Sequence, residues 1–210
     1  LGGQFMTKRK LAYEAIDIEQ NVIGEHVGSQ DQVAAAFGGF NIIEFFKDDR
    51  IIVQPLTLRS SRIKKLEDSL VLFFTGISRT ASEIAETQIS NTPNKIKELD
   101  KMKQMVDQAV EILCEESTPL DEFGKLLDES WKIKRSITQK ISTDLIDSVY
   151  DRGINAGALG GKLLGAGGGG FIMFFTPPNK KQKLINELSD LLHVPFHFES
   201  MGSHIVHYSQ

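Results

Sequence analysis

The sequence predicts an α+β fold, and two features of its order carry that expectation. Strand signals come as one hairpin and as isolated buried runs, while helical signals cluster in a long central block instead of alternating with the strands. Taken in chain order, Thr7 stands as an N-cap ahead of Leu11, Ala15, Ile18 and Val22, and Gly24 stands as a stop, which predicts a helix over residues 8–23. Ser29-Gln-Asp-Gln32 has the form of a capping box before Val33-Ala-Ala-Ala-Phe37, and Gly38-Gly39 ends that short second helix. Asn41 to Phe46 and Ile51 to Leu58 flank Lys47-Asp-Asp-Arg50 as a hairpin, with Pro55 marking an edge strand or a bulge. Ser69 to Thr75 reads as a buried strand.

From Thr80 to about Tyr150 the pattern is helical, punctuated by Pro93 and Pro119. Ile96, Leu99, Met102, Val106, Ala109 and Leu113 recur at threes and fours, giving one apolar face to a helix over 94–116. A second helix follows Pro119 and carries Phe123, Leu126, Leu127 and Trp131. Beyond a glycine-rich stretch the pattern predicts a strand over 171–176, a helix over 178–192, and short strands over 195–199 and 203–208. No internal repeat or low-complexity linker interrupts this order.

Composition narrows the function classes. The 210 residues are 40% hydrophobic and 25% charged, an ordinary globular balance with enough chain for a substantial core. A formal charge of −4 argues against a broad phosphate-neutralising surface, so no nucleic-acid partner is expected and any anion site must be local. One cysteine, Cys114, excludes an internal disulfide framework and a multi-cysteine zinc site, and fits a reducing cytoplasmic compartment. No apolar run approaches the ~18 residues of a membrane span, and the first residues lack the order of a secretory signal. The start at Leu1 suggests a processed, engineered or truncated chain.

Seven of the eighteen glycines fall within residues 160–170, a density that calls for close approach to a ligand or to another backbone. Gly165-Ala-Gly-Gly-Gly-Gly170 matches the dinucleotide spacing formally. That fingerprint needs a strand before it and a helix after it, whereas here helical residues lead in and Phe171-Ile-Met-Phe-Phe175 follows as a strand. A phosphate loop of the Walker type also fails, because Leu163 follows Lys162 where Ser or Thr belongs. Two readings stay open: an anion-binding nest of consecutive amides, or a tight helix-to-strand connection.

Asp31 lies in the first turn of the second helix, where the helix dipole favours a carboxylate. Such residues serve stability alone in many proteins, yet a polar loop among small residues also suits presentation of a carboxylate to a hydroxyl. Glu19, one turn before the end of the first helix, could approach the same site as a magnesium ligand or stand as a solvated helix residue.

Gly28-Ser-Gln-Asp-Gln32 followed by Gly38-Gly39, and Lys162-Leu-Leu-Gly-Ala-Gly-Gly-Gly-Gly170 before a strand, resemble the second half of a GHMP small-molecule kinase, the later element being similar to that superfamily's third motif. Thr75-Gly76 with Arg79, Ser130-Trp131-Lys132 with Lys134-Arg135, and Phe198-Glu199 with Gly202-Ser203 resemble the sugar-kinase branch of heptose 7-phosphate kinases, with L-fucose kinase as a near relative. The resemblance implies that residues 1–66 close an N-terminal domain and that 67–210 form a C-terminal domain with an antiparallel sheet packed on helices, the active site lying between them. It implies ATP and Mg²⁺ as cofactors and a sugar phosphate as substrate, with the C1 hydroxyl of D-glycero-D-manno-heptose 7-phosphate as acceptor. Asp31 then faces that hydroxyl and Glu19 helps to hold Mg²⁺. Gly28, Ser29, Gln32 and Arg79 contact the substrate, with Lys134 and Arg135 as further basic candidates. Gly165, Ala166, Gly167, Gly168, Gly169 and Gly170 wall the site near the phosphates.

The family's Gly-Leu-Gly-Ser-Ser phosphate loop and sugar-binding N-terminal strands are expected ahead of Leu1 and do not occur in the sequence. The resemblance therefore implies a portion of a kinase that, by itself, binds ATP weakly and does not turn over. The alternatives are a catalytically silent interaction domain on the same fold, or a kinase of fucose or galactose type.

Overall fold

The computed structural model describes residues 6–77 and 81–207. They fall into two compact units, Leu1–Thr57 with His197–Gln210, and Leu58–Phe196. Contacts thus divide the chain differently from a cut at residue 66, because the last residues fold back onto the first segment. Among the described residues no helix is long and apolar enough to cross a membrane.

In the first unit, Thr7 Oγ1 accepts the amide of Lys10 at 3.1 Å and opens α1 (Lys8–Asp17). The helix does not continue as α to residue 23. Ile18–Ile23 form a π-helical segment that ends at Gly24, whose φ of 79° lets the carbonyl of Glu19 take the amides of Gly24 and Glu25. This wider winding shifts the facing of its own residues, so the expected apolar stripe breaks: Ala12 is buried, while Ile18 and Val22 are 50% and 73% exposed.

α2 (Gln30–Phe37) joins Ala12 and Ile51 in a small core through Val33 and Ala36. The expected capping box is absent. Ser29 makes no side-chain cap bond, because its hydroxyl accepts from Gln20 Nε2 at 3.2 Å and Gln32 turns toward Glu19. β1 (Asn41–Phe45) and β2 (Ile51–Pro55) form the expected hairpin, with Asn41 opposite Pro55 and Phe45 opposite Ile51. In a two-stranded ribbon every strand is an edge, which tolerates the proline. Tyr13 pins the ribbon to α1, its hydroxyl donating to the Asp49 carbonyl and accepting the Ile51 amide, each at 3.0 Å.

The strands expected over 195–199 and 203–208 do not form among the described residues. Their polar groups go elsewhere: the Gly39 amide bonds the Glu199 carbonyl and the Ser203 amide bonds the Ala35 carbonyl, both at 2.8 Å. Glu199 accepts the amides of Met201 and Gly202, each at 2.6 Å, which holds its carboxyl below the usual range. Gly38 and Gly202 meet backbone to backbone, so closely that a Cβ on Gly38 would run into the Gly202 amide.

The second unit contains α3 (Ser60–Ser69), β3 (Leu70–Phe74), α4 (Ala81–Asn91), α5 (Ile96–Cys114), α6 (Asp121–Ile137), α7 (Asp144–Ala156), β4 (Gly160–Leu163), β5 (Phe171–Phe175), α8 (Lys181–Glu187) and β6 (Leu192–His193). The strands form one antiparallel sheet in the order β4-β5-β3-β6, as the α+β expectation requires. Phe73, Phe174, Tyr150 and Trp131 form an aromatic chain through its core, with successive centroids 6.2, 5.8 and 6.2 Å apart. The predicted helix over 178–192 is shortened to a 3₁₀ turn and α8, because the chain leaves it to pair β6 with β3.

On α5 the covered face differs from the predicted one. Met105 and Leu113 are buried, but Ile96 and Val106 are 58% and 50% exposed, since α5 packs chiefly against α6 and only that narrow face is covered. α3 is absent from the sequence-based expectation, and its inward residues Arg62, Leu66 and Ser69 explain why: two of the three are polar. Arg62 is 7% exposed and its Nη2 donates to the carbonyls of Ile112, Glu115 and Thr118 at 2.5, 3.2 and 2.7 Å, closing the carboxyl end of α5. Arg62→Ala is expected to cost about 3 kcal/mol by orphaning these acceptors, read as a lowered urea midpoint with an unchanged slope.

Candidate functional site

The residues singled out from the sequence fall into a carboxylate group in the first unit and a glycine group in the second. In the first, the π-helical segment carries Glu19 and Gln20 on consecutive residues. Gln32 Nε2 donates to Glu19 Oε2 at 2.6 Å, and Gln20 Nε2 donates to the Val27 carbonyl at 2.9 Å and to Ser29 Oγ at 3.2 Å. These bonds tie the later half of the loop 24–29 to Gln20 and join the two segments that flank the loop through Glu19 and Gln32.

Structure thus joins Glu19, Ser29 and Gln32, and adds Gln20. No local sequence signal marks Gln20, because its partners lie across the loop. Asp31 precedes Gln32 in the first turn of α2, is exposed, and makes no hydrogen bond or ion pair among the described residues. A Cβ at Gly28 would meet nothing within 4 Å, so the loop surface beside Ser29 is open.

This arrangement has a definite chemical capacity. Glu19 has one carboxylate oxygen held by an amide and the other uncommitted among the described residues. Magnesium is commonly bound through one or two carboxylates together with phosphates and waters. A lone, oriented Glu19 fits that mode, and no group of three or more His, Cys, Asp or Glu suited to a protein-only metal cage occurs among the described residues. Asp31, exposed in the first turn of α2, carries a carboxylate of the kind that can accept a proton from a hydroxyl.

In the second unit the glycine loop, residues 164–170, joins β4 to β5 as a hairpin. The expectation of a helix-to-strand connection is corrected here. Lys162-Leu-Leu reads as helical, but Gly161 pairs opposite Phe174 and Leu163 opposite Ile172, and completing the sheet overrides local propensity. Exclusion of the dinucleotide motif stands, since a strand comes after the loop.

The loop is fixed at several points. The amides of Gly168 and Gly170 bond the carbonyls of Ile141 (2.9 Å) and Ile77 (2.8 Å), and the Gly170 carbonyl accepts both the amide and the hydroxyl of Thr75 at 2.8 Å. Gln88 Nε2 and Lys134 Nζ reach the carbonyls of Ala166 and Gly165 at 2.6 and 2.7 Å. Gly165, Gly167, Gly168 and Gly170 have φ of 69°, 121°, 76° and 90°, values that favour glycine. The amides of Gly165, Ala166, Gly167 and Gly169 have no hydrogen-bond partner among the described residues, as the donors of an anion-binding nest would not.

The basic candidates separate. Lys134 sits on the glycine loop, bonded to the Gly165 carbonyl. Arg135 is committed to the interior: its Nη1 bonds Asp147 Oδ1 at 2.6 Å and its guanidinium lies over the rings of Trp131 and Tyr150. Lys162, central in β4, is desolvated, which pushes its ammonium pKa below the usual lysine value. Arg79 lies outside the described residues, although Thr75-Gly-Ile77 just before it is bonded to Gly170.

Known proteins share both the fold and much of the sequence. Residues 109–194 match the family model described as GHMP kinases C terminal. The chain is 40% identical over 182 residues to a D-glycero-alpha-D-manno-heptose 7-phosphate kinase of Campylobacter jejuni, covering 85% of this chain and 52% of that protein. It is 25% identical over 176 residues to a bifunctional fucokinase/GDP-fucose pyrophosphorylase of Arabidopsis thaliana, covering 80% of this chain and 16% of that protein. Among solved structures, a D-glycero-D-manno-heptose 1-phosphate kinase from Bacteroides thetaiotaomicron superposes with a TM-score of 0.72 at 31% identity, covering 98% of this chain and 57% of that one. The chain therefore spans about half the length of the heptose kinases it matches.

Proposed function

Because the chain carries a GHMP kinase C-terminal domain over residues 109–194 and has the fold of those kinases, we propose that the protein it represents transfers the γ-phosphoryl group of ATP to the C1 hydroxyl of D-glycero-D-manno-heptose 7-phosphate. The first unit then represents the end of the N-terminal kinase domain and the second the C-terminal domain. Identity of 40% to a protein named for heptose 7-phosphate supports the substrate class. The single observation that supports the chemistry most directly is the oriented Glu19 carboxylate, bonded to Gln32 in the same helical turn that exposes Asp31.

In this reading Asp31 accepts the proton of the C1 hydroxyl as that oxygen bonds to the γ-phosphorus. The bond from the γ-phosphorus to the bridging oxygen breaks, and ADP leaves with the electron pair. Glu19 would hold Mg²⁺ through its uncommitted oxygen, and the ion when bound neutralises phosphate charge. In the second unit, taken by itself, the free amides of the glycine loop offer fixed dipoles to an anion. Dependence on ATP fits a cytoplasmic reaction.

The full-length protein, incubated with ATP and heptose 7-phosphate, is expected to yield a bisphosphate whose new phosphorus couples to the anomeric proton in ³¹P NMR. A new phosphate at any other carbon overturns the C1 assignment, and faster consumption of unphosphorylated fucose or galactose overturns the sugar-phosphate assignment. Arg79→Ala is expected to raise the KM for heptose 7-phosphate roughly tenfold or more with the KM for ATP unchanged, since a guanidinium on the sugar's own phosphate contributes binding before the reaction. Equal KM values in wild type and variant remove Arg79 from the substrate site.

A further inference from the structure

Gln32 makes a poor fit to a purely structural role. It is 8% exposed in the first turn of α2, and its amide nitrogen donates to Glu19 Oε2 at 2.6 Å. The orientation of this amide is dictated by chemistry, because a carboxylate only accepts and the NH₂ group must face it. The other end of the amide, Oε1, is consequently turned into the protein, where it is fully buried and has no hydrogen-bond partner among the described residues.

A buried carbonyl without a donor is costly, because it gives up its hydrogen bonds to water and gains none in return. Methionine would fill the same volume beside Val33 and Ala36 without that cost. The side chain at position 32 is therefore not the one that packing alone would favour, and what it supplies in return is a fixed direction for one carboxylate. The π-helical winding of Ile18–Ile23 contributes to the same end by turning Glu19 toward α2 while its neighbours Ile18 and Val22 are left exposed. Such windings occur disproportionately at functional sites. Gln20, bonded to Val27 and Ser29, holds the loop so that residues 19 and 32 stay within reach of one another.

Resting on the kinase reading, we propose that Gln32 is a positioning residue that acts through Glu19: it holds Oε2 so that Oε1 is presented to the divalent cation of the nucleotide complex, and it does not itself contact the sugar. This moves Gln32 from the substrate-binding role that the resemblance implies to the layer behind the carboxylate.

The test uses the full-length protein with Gln32→Met, Gln32→Glu, Glu19→Gln and the Glu19→Gln/Gln32→Met pair. Turnover and Mn²⁺ affinity in the presence of ADP, the latter from the free-Mn²⁺ signal in electron paramagnetic resonance, are both read. Gln32→Met is expected to unfold at the same temperature as wild type or higher, yet to lose roughly 10–100-fold in Mn²⁺ affinity and in kcat, the scale of support behind a metal ligand. Gln32→Glu, of the same size but without a donor, is expected not to restore either. The double variant is expected to be no worse than Glu19→Gln alone, because Gln32 has no route to the cation except through Glu19. Additive losses in the double variant, or Mn²⁺ affinity equal in wild type and Gln32→Met, overturn the proposal. If the wild type phosphorylates no sugar, the kinase reading fails on that result, and the Mn²⁺ comparison decides the role of Gln32 independently.

Discussion

Asp31→Asn in the full-length protein is expected, on the proposed mechanism, to lower kcat by at least about 10²-fold while the KM for ATP stays within error of wild type and the thermal midpoint falls by no more than about 4 °C. The separation of the two effects stems from where the residue sits. Asp31 is exposed in the first turn of α2 and has no hydrogen-bond or ion-pair partner among the described residues, so the isosteric amide breaks no contact. Its one stabilising role, a negative charge at a helix start, is worth about 0.3–1 kcal/mol. On the proposed mechanism, what the substitution removes is the ability to take a proton, which would matter only while the acceptor hydroxyl becomes a phosphate ester. Steady-state kinetics with heptose 7-phosphate read this directly. A turnover within a fewfold of wild type would return Asp31 to the helix-start role.

Gly160→Ala is expected to destabilise the fold by about 3 kcal/mol, at the upper end of overpacking effects. At Gly160 the strand β4 passes under α6 so closely that a methyl group would run into the Gly124 carbonyl and lie 2.7 Å from the Asp128 amide nitrogen. Backbone stands on both sides of the contact. A side chain could swing aside, whereas here the helix or the strand must move. Gly165→Ala provides the comparison, since its added methyl would meet nothing within 4 Å and the cost is only that of a left-handed φ of 69°, about 1–2 kcal/mol. Urea unfolding of both variants reads the difference, and equal losses would show that close approach is not what fixes glycine at position 160.

Particular residues show how far the sequence could be read. Thr7, Gly24 and Gly38 were legible as helix boundaries because capping and left-handed backbone are local requirements, and the hairpin at Lys47-Asp-Asp-Arg50 was legible for the same reason. Ser29-x-x-Gln32 was misread as a capping box because both side chains found better partners across a loop, at Gln20 and Glu19. Such partners depend on the π-helical winding, which leaves no mark in apolar periodicity. α3 was invisible since a buried arginine takes the place of an apolar residue in its stripe. At the glycine loop the density of glycine was legible, but the strand before it was not, because Gly160 and Gly161 become strand only through the neighbours that demand their smallness. Of the site residues, the proximity of Glu19 to the helix that carries Asp31 was anticipated. The burial of Gln32 and the contribution of Gln20 were not.

The return of the last residues to the first unit sets a timetable for synthesis. Residues 1–57 emerge from the ribosome roughly 140 residues before His197, a delay of about 7–30 s at 5–20 residues per second. Throughout that interval Gly38 and the carboxyl end of α2 lack the Gly202 backbone they pack against, the Gly39 amide lacks the Glu199 carbonyl, and Lys8 Nζ lacks one of its two acceptors, the Met201 carbonyl at 2.5 Å. The second unit has no such wait, because all of its strands and helices are complete once Phe196 has been added. The earliest part of this chain to be made is therefore the last to close, and a premature stop near residue 196 would leave the helix that carries Asp31 unfinished while sparing the glycine hairpin.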